Sequence, residues 1–253
     1  KNELNLFKNS YKNTIKYMFN GLMLLHKHHI VHKDIKLDNL CLSVKQNKVI
    51  IKFIDFGLSH NLKYMHKTMD NINYSGTPCY SPPDYFILIE LIRHNFNSII
   101  LNKDLHYKII KKLFNSIKSN FSTFTNKGLN KSYLDGKISI TDNTLSDLSL
   151  SLSSSQNNNK KLNYFITLKD IQTLFIFLLN LYNKDEIVDY YFTNKIGMLS
   201  KVDIFSTGLV IFEISNYLQI NDILLINLKK NMIEFNSINR YNIDDCRNHL
   251  LFQ

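Results

Sequence analysis

The feature that most constrains the fold is the run His32-Lys33-Asp34-Ile35-Lys36-Leu37-Asp38-Asn39, followed after a short interval by Asp55-Phe56-Gly57. Asp34, Lys36 and Asn39 crowd three functional groups into six residues, and Ile30, Val31, Ile35 and Leu37 are apolar pegs among them. Such a stretch is a polar loop pinned to a core. Before it, Ile15, Met18, Phe19, Leu22 and Leu25 recur at helical spacing and predict an amphipathic helix over roughly residues 10 to 28. After it, residues 40 to 44, the turn Lys45-Gln46-Asn47-Lys48 and residues 49 to 54 predict a short β-hairpin. Residues 58 to 84 are small and polar, hold all three prolines, and read as loop.

The polar groups match the demands of one reaction. Phosphoryl transfer to a hydroxyl needs a carboxylate to orient the hydroxyl proton, ligands for magnesium, and a cation near the transferred group. Asp34, Lys36, Asn39 and Asp55 supply a base, a cation, an amide oxygen and a second carboxylate. Carboxylate and amide oxygens are the hard ligands that magnesium prefers.

These residues resemble a family. His32 to Asn39 is similar to the catalytic loop of the eukaryotic protein kinases, His-Arg-Asp-x-Lys-x-x-Asn, and Asp55-Phe56-Gly57 to their Asp-Phe-Gly. Gly76-Thr77-Pro78-Cys79-Tyr80-Ser81-Pro82-Pro83-Asp84 resembles the end of a kinase activation segment, with Pro82 and Asp84 as departures. Asp203-Ile204-Phe205-Ser206-Thr207-Gly208 resembles the start of the buried central helix, and Arg240 to Cys246 with His249 the last helices. The implied fold is mainly α with a small β-hairpin, the large lobe of a protein kinase.

The resemblance implies roles residue by residue. Asp34 is the catalytic base, Lys36 steadies the γ-phosphate of ATP, and Asn39 and Asp55 hold Mg2+. Thr77 positions Asp34 and Lys36. Asp203 binds the backbone of the catalytic loop, and His32 and Phe56 stack in a regulatory spine next to Gly57. Cys41 lies under the adenine, backed by Val210 and Ile214. Asp84 pairs with Arg240, a buried pair whose one-sided loss costs on the order of 3–5 kcal/mol. Lys36 together with Thr77 resembles serine/threonine rather than tyrosine kinases. ATP and protein substrates are the implied partners; oligomeric state is left open.

Departures shape the expected organisation. The seven glycines provide no Gly-x-Gly, and no Val-Ala-x-Lys precedes Asp34. The small lobe is therefore expected upstream in the complete gene product, and the isolated chain is expected to be inactive. Lys33 replaces an arginine that grips an activation-loop phosphate; lysine offers a point charge where arginine offers two parallel donors. Thr68, Tyr74 and Ser75 are the candidate phosphate acceptors. The kinase lobe is expected to be discontinuous, 1–84 and 196–253, around a long insertion at 85–195, whose stretch 141–161 is rich in Ser, Asn and Lys and expected to be disordered. Residues 165 to 182 and 202 to 217 are expected helices. The interval between Ile214 and Arg240 is short for the family, and its substrate-docking helix is expected to be missing.

Net charge is +10, favouring acidic partners, but no aromatic-interleaved basic motif supports nucleic acid. The three cysteines form no Cys-x-x-Cys, which fits a reducing cytoplasmic or nuclear setting. No apolar run is long enough for a transmembrane segment. His26, His28, His29 and His32 raise a metal-hydrolase reading, weighed against the place of His32 in the kinase-like loop. The main alternative is a pseudokinase or scaffold that keeps the fold without turnover.

Overall fold

The computed structural model describes residues 2–46, 48–65, 75–77, 80–82, 84–85, 199–234 and 236–253. The chain divides into two compact units, Lys1–Pro82 with Val188–Gln253, and Pro83–Ile187. Of the second unit only Asp84 and Tyr85 are described, both buried in short helical backbone. The expected low-complexity segment and the helix at 165 to 182 lie outside the described residues.

The first unit is mainly helical. Its elements run α1 (Asn2–Lys27), β1 (Ile30–Val31), a 3-10 turn (Leu37–Asn39), β2 (Leu40–Lys45), β3 (Lys48–Phe53), β4 (His60–Asn61), α2 (Leu62–Met65), α3 (Ser200–Tyr217), α4 (Ile223–Met232), α5 (Ile243–Arg247) and a closing 3-10 turn (Leu250–Phe252). The first helix starts earlier than its apolar periodicity predicts. It is two helices joined at Ser10, whose φ of −118° and ψ of 16° are not helical. Ser10 Oγ donates to Leu6 O at 2.7 Å and Thr14 Oγ1 to Ser10 O at 3.1 Å, the side-chain back-bonding that bends helices.

The hairpin forms as expected, in antiparallel register from Leu40 opposite Phe53 to Lys45 opposite Lys48. It lies on α1: Thr14 Oγ1 reaches Val49 O, and a Cβ at Gly21 would stand 3.4 Å from the Phe53 ring. Between His60 and Met65 the predicted loop is replaced by order. β4 pairs with β1, Val31 opposite His60, and α2 follows. Two residues are too few for alternation to register in a sequence.

α3 is buried at fourteen of its eighteen positions, so it is a core helix on every side. Met18, Phe19 and Leu22 of α1, Val49 and Ile51 of β3, and Ile204 and Val210 of α3 meet in one core. α4 occupies the interval before Arg240 that the motif spacing leaves short. It crosses α3 closely at Gly208, where a Cβ would lie 2.8 Å from Ile233 Cγ2 and 2.9 Å from Met232 Cβ. Its first amides, Leu224 and Leu225, are capped by Asp222, which also accepts from Tyr11 of α1. Asn242 and Asp245 cap α5 reciprocally. Among the described residues no helix is long and apolar enough to cross a membrane.

Candidate functional site

The polar loop is held from below by α3. Asp203, in the first turn of that helix, is fully buried and accepts from the backbone amides of His32 and Lys33, each at 2.8 Å. His26 Nε2 from the end of α1 lies 3.1 Å from the same carboxylate. A negative charge at a helix N-terminus is itself favoured by the unpaired amides there. Lys33 takes a left-handed φ of 68°, which turns both amides toward Asp203.

Above this anchor stands Asp34, 6% exposed. One oxygen, Oδ1, accepts from the Thr77 amide at 2.8 Å and Thr77 Oγ1 at 2.6 Å. The other, Oδ2, accepts from Lys36 Nζ and Asn39 Nδ2, both at 2.9 Å. Lys36 also donates to Thr77 Oγ1 at 2.9 Å, which closes a triangle. Burial pushes the Asp34 carboxyl up, but the hydrogen bonds from Thr77 and Lys36 and the Lys36 charge outweigh it and hold the group below its ordinary range. The carboxylate therefore stays ionised at neutral pH. Gly76 makes the approach of Thr77 possible. Its φ is +118°, and a Cβ there would sit 2.5 Å from the Lys33 carbonyl oxygen.

The open end of the hairpin brings the backbones of Asn39 and Ile54 together. The Ile54 amide donates to Asn39 O at 3.0 Å, so Asn39 and Asp55 flank one backbone bond. Asn39 spends its Nδ2 on Asp34 O and Oδ2, which leaves its Oδ1 as an oxygen donor without a protein partner among the described residues. Asp55 is exposed, with φ of 62°, and only its Oδ1 is engaged, by the Gly57 amide at 3.2 Å. An amide oxygen and a free carboxylate oxygen suit a hard divalent cation. The His32 ring lies 4.9 Å from that of Phe56 at an interplanar angle of 46°, and its Nε2 is 3.1 Å from Ile54 O, so the two rings meet at a tilt beside the residue that precedes Asp55.

Not every predicted residue joins this cluster. Cys41 is exposed on β2 opposite Lys52 and takes no part in its hydrogen bonds. Arg240 is buried with its guanidinium 5.0 Å above the Phe205 ring, and donates to Glu234 O and Lys201 O. Asp84 belongs to the second unit. Lys33 Nζ lies 3.3 Å from His60 Nδ1, and burial lowers its pKa to about 8 against the pull of Asp203. Thr68 and Tyr74 lie outside the described residues. The four N-terminal histidines do not converge: His28 and His29 are exposed, while His26 and His32 are engaged as above. Among the described residues no three His, Cys, Asp or Glu side chains gather as a metal site.

The structure also adds one group that the motifs omit, Glu213. Tyr80 Oη donates to both oxygens of Glu213, at 3.0 and 2.9 Å, and Ser206 Oγ donates to Tyr80 O at 2.8 Å. These bonds seat the segment after Thr77 on α3. Burial pushes the Glu213 carboxyl up to about 7; the Tyr80 hydroxyl opposes this and the Asp38 charge adds to it. The sequence signal was available, since Glu213 is the one acid within the apolar stretch 208 to 215.

Residues 1–96 match the family model described as protein kinase domain. Over 71 residues the chain is 42% identical to calcium-dependent protein kinase 4 of Plasmodium falciparum, covering 28% of this chain and 13% of that protein. Over 73 residues it is 41% identical to serine/threonine-protein kinase PLK4 of Drosophila melanogaster, covering 28% of this chain and 8% of that protein. The chain thus carries a protein-kinase-like domain related to the serine/threonine kinases. The matched part spans about an eighth or less of the length of these relatives.

Proposed function

We propose that this domain is the catalytic large lobe of a protein serine/threonine kinase, which moves the γ-phosphate of ATP to serine or threonine hydroxyls of proteins. The observation that carries this reading is the Asp34 carboxylate, ionised and fixed by Lys36, Asn39 and Thr77. A carboxylate so held accepts the proton of a substrate hydroxyl as its oxygen bonds to phosphorus and the bond to the leaving diphosphate breaks. Lys36 adds positive charge beside the transferred group. Asn39 and Asp55 fit Mg2+, which when bound neutralises the phosphates. His32 and Phe56 brace Asp55, Asp203 keeps the loop backbone in place, and Cys41 offers an exposed surface for the adenine. The kinase lobe comprises 1–84 and 196–253 around the 85–195 insertion, and the protein works in a reducing cytoplasmic or nuclear setting.

The reading is tested with the complete gene product carrying this chain, incubated with labelled ATP, magnesium and a generic protein substrate. Label is expected in phosphoserine or phosphothreonine, and Asp34→Ala is expected to abolish it. Equal labelling by both forms would remove the catalytic assignment of Asp34, and no labelling by either would leave the pseudokinase reading in its place.

A further inference from the structure

An amine that the site above does not use lies where α4 packs back on the last turns of α3. Lys229 of α4 is only 5% exposed. Its Nζ donates to Ser215 Oγ at 2.7 Å and stands 5.2 Å from the centre of the Phe212 ring. Ser215 gives its own proton to Phe212 O at 3.0 Å, so toward the amine it acts as acceptor. On its other side Ser215 borders a cavity of about 10 Å3 between α1 and α3, whose walls include Phe7, Ile15, Ile211 and Leu225. Those walls are apolar and supply no counter-charge.

The charged groups of the surrounding elements are committed elsewhere. Asp222, at the head of α4, is occupied by Tyr11, Lys12 and the amides it caps. Glu213 of α3 is held by Tyr80. Glu234, beyond α4, accepts from the Asn236 amide. His249, on the closing turn, faces Asn227. Among the described residues no carboxylate reaches Lys229.

A buried ammonium that regains only one hydroxyl and one ring face is poorly compensated for its lost water; an uncharged amine loses far less. We propose that Lys229 makes the α3–α4 joint proton-sensitive: uncharged, the amine lets the helices close over Ser215 and Phe212, and charged, it loosens them. Burial, the cause acting on this group, lowers its pKa from 10.5 to about 8. The sign follows. The unfolded chain takes up this proton first, so the penalty grows as pH falls from about 10.5 and is complete below about 8. From pH 7 to 9 this one group raises the folding constant roughly tenfold. α3 carries Asp203 at its other end, so the joint backs the same helix that anchors the polar loop.

The test uses the 253-residue chain labelled with 13Cε-lysine, followed by NMR from pH 6.5 to 11, with urea unfolding at pH 7 and 9. One resonance absent from Lys229→Met is expected to titrate near pH 8. Lys229→Met is expected to be more stable than wild type at pH 7 and to lose the tenfold rise by pH 9. If Lys229→Met does not fold, Ser215→Ala substitutes for it: removing the hydroxyl should move the same resonance to lower pH. A Lys229 resonance titrating near 10.4, an unchanged pH response in Lys229→Met, or no shift in Ser215→Ala would overturn the proposal.

Discussion

The two ends of α3 handle buried charge in opposite ways. At the N-terminal end Asp203 meets two backbone amides and a histidine, and Asp34 above it meets four donors. At the C-terminal end Lys229 meets one hydroxyl and one ring. Saturated bonding keeps Asp34 charged at every neutral pH, while sparse bonding brings Lys229 near its titration point. A buried charge fixed on all sides is suited to holding a geometry; one left half-satisfied is suited to responding to pH or to a partner.

The largest break in this comparison should come from Asp203→Ala. It strands two buried amides and His26, and should lower stability by on the order of 3–5 kcal/mol in urea unfolding. A loss under about 1 kcal/mol would mean that the loop does not depend on its anchor. Next is Gly208→Val at the α3–α4 crossing. Its side chain would meet Ile233 and Met232, and a cost of about 1–3 kcal/mol is expected from overpacking.

Glu213→Gln sharpens the contrast between the ends. The Glu213 carboxyl titrates near 7 in the fold against 4.5 when unfolded, so its stabilising share is present below pH 4.5 and is lost as pH rises to 7. The glutamine form should therefore be more stable at pH 8, by on the order of 3 kcal/mol, and equal to wild type near pH 4. Thermal unfolding at the two pH values reads this directly. The smallest effect is expected at Asn242→Ala, which removes the capping box of α5 without touching either buried charge's hydrogen bonds and should cost about 1 kcal/mol.

Most of the N-terminal end was legible beforehand because its groups are close in sequence. Asp34, Lys36 and Asn39 lie on one loop, and the hairpin that follows declares itself by two β-rich runs around a polar turn. Thr77 and Asp203 were placed only through the kinase resemblance, since nothing local in either segment announces a bond to residues 32–34. The C-terminal end was hidden for a different reason. Lys229 and Lys230 are adjacent and look alike in sequence, yet one is buried and the other exposed, and only the crossing of α4 over α3 separates them. The β1–β4 bridge was invisible because two-residue strands carry no period. Ser10 interrupts α1 without breaking its apolar stripe, so the earlier half of that helix was missed.

The central claim is that the held carboxylate of Asp34 is the chemical group of the site. Asp34→Asn keeps its shape and removes its charge, and the measurement is the steady-state rate of γ-phosphate transfer by the complete gene product, wild type against variant, with the KM for ATP. The variant should lose on the order of 10²–10⁴-fold in kcat while that KM changes little. A rate within a few-fold of wild type would contradict the account.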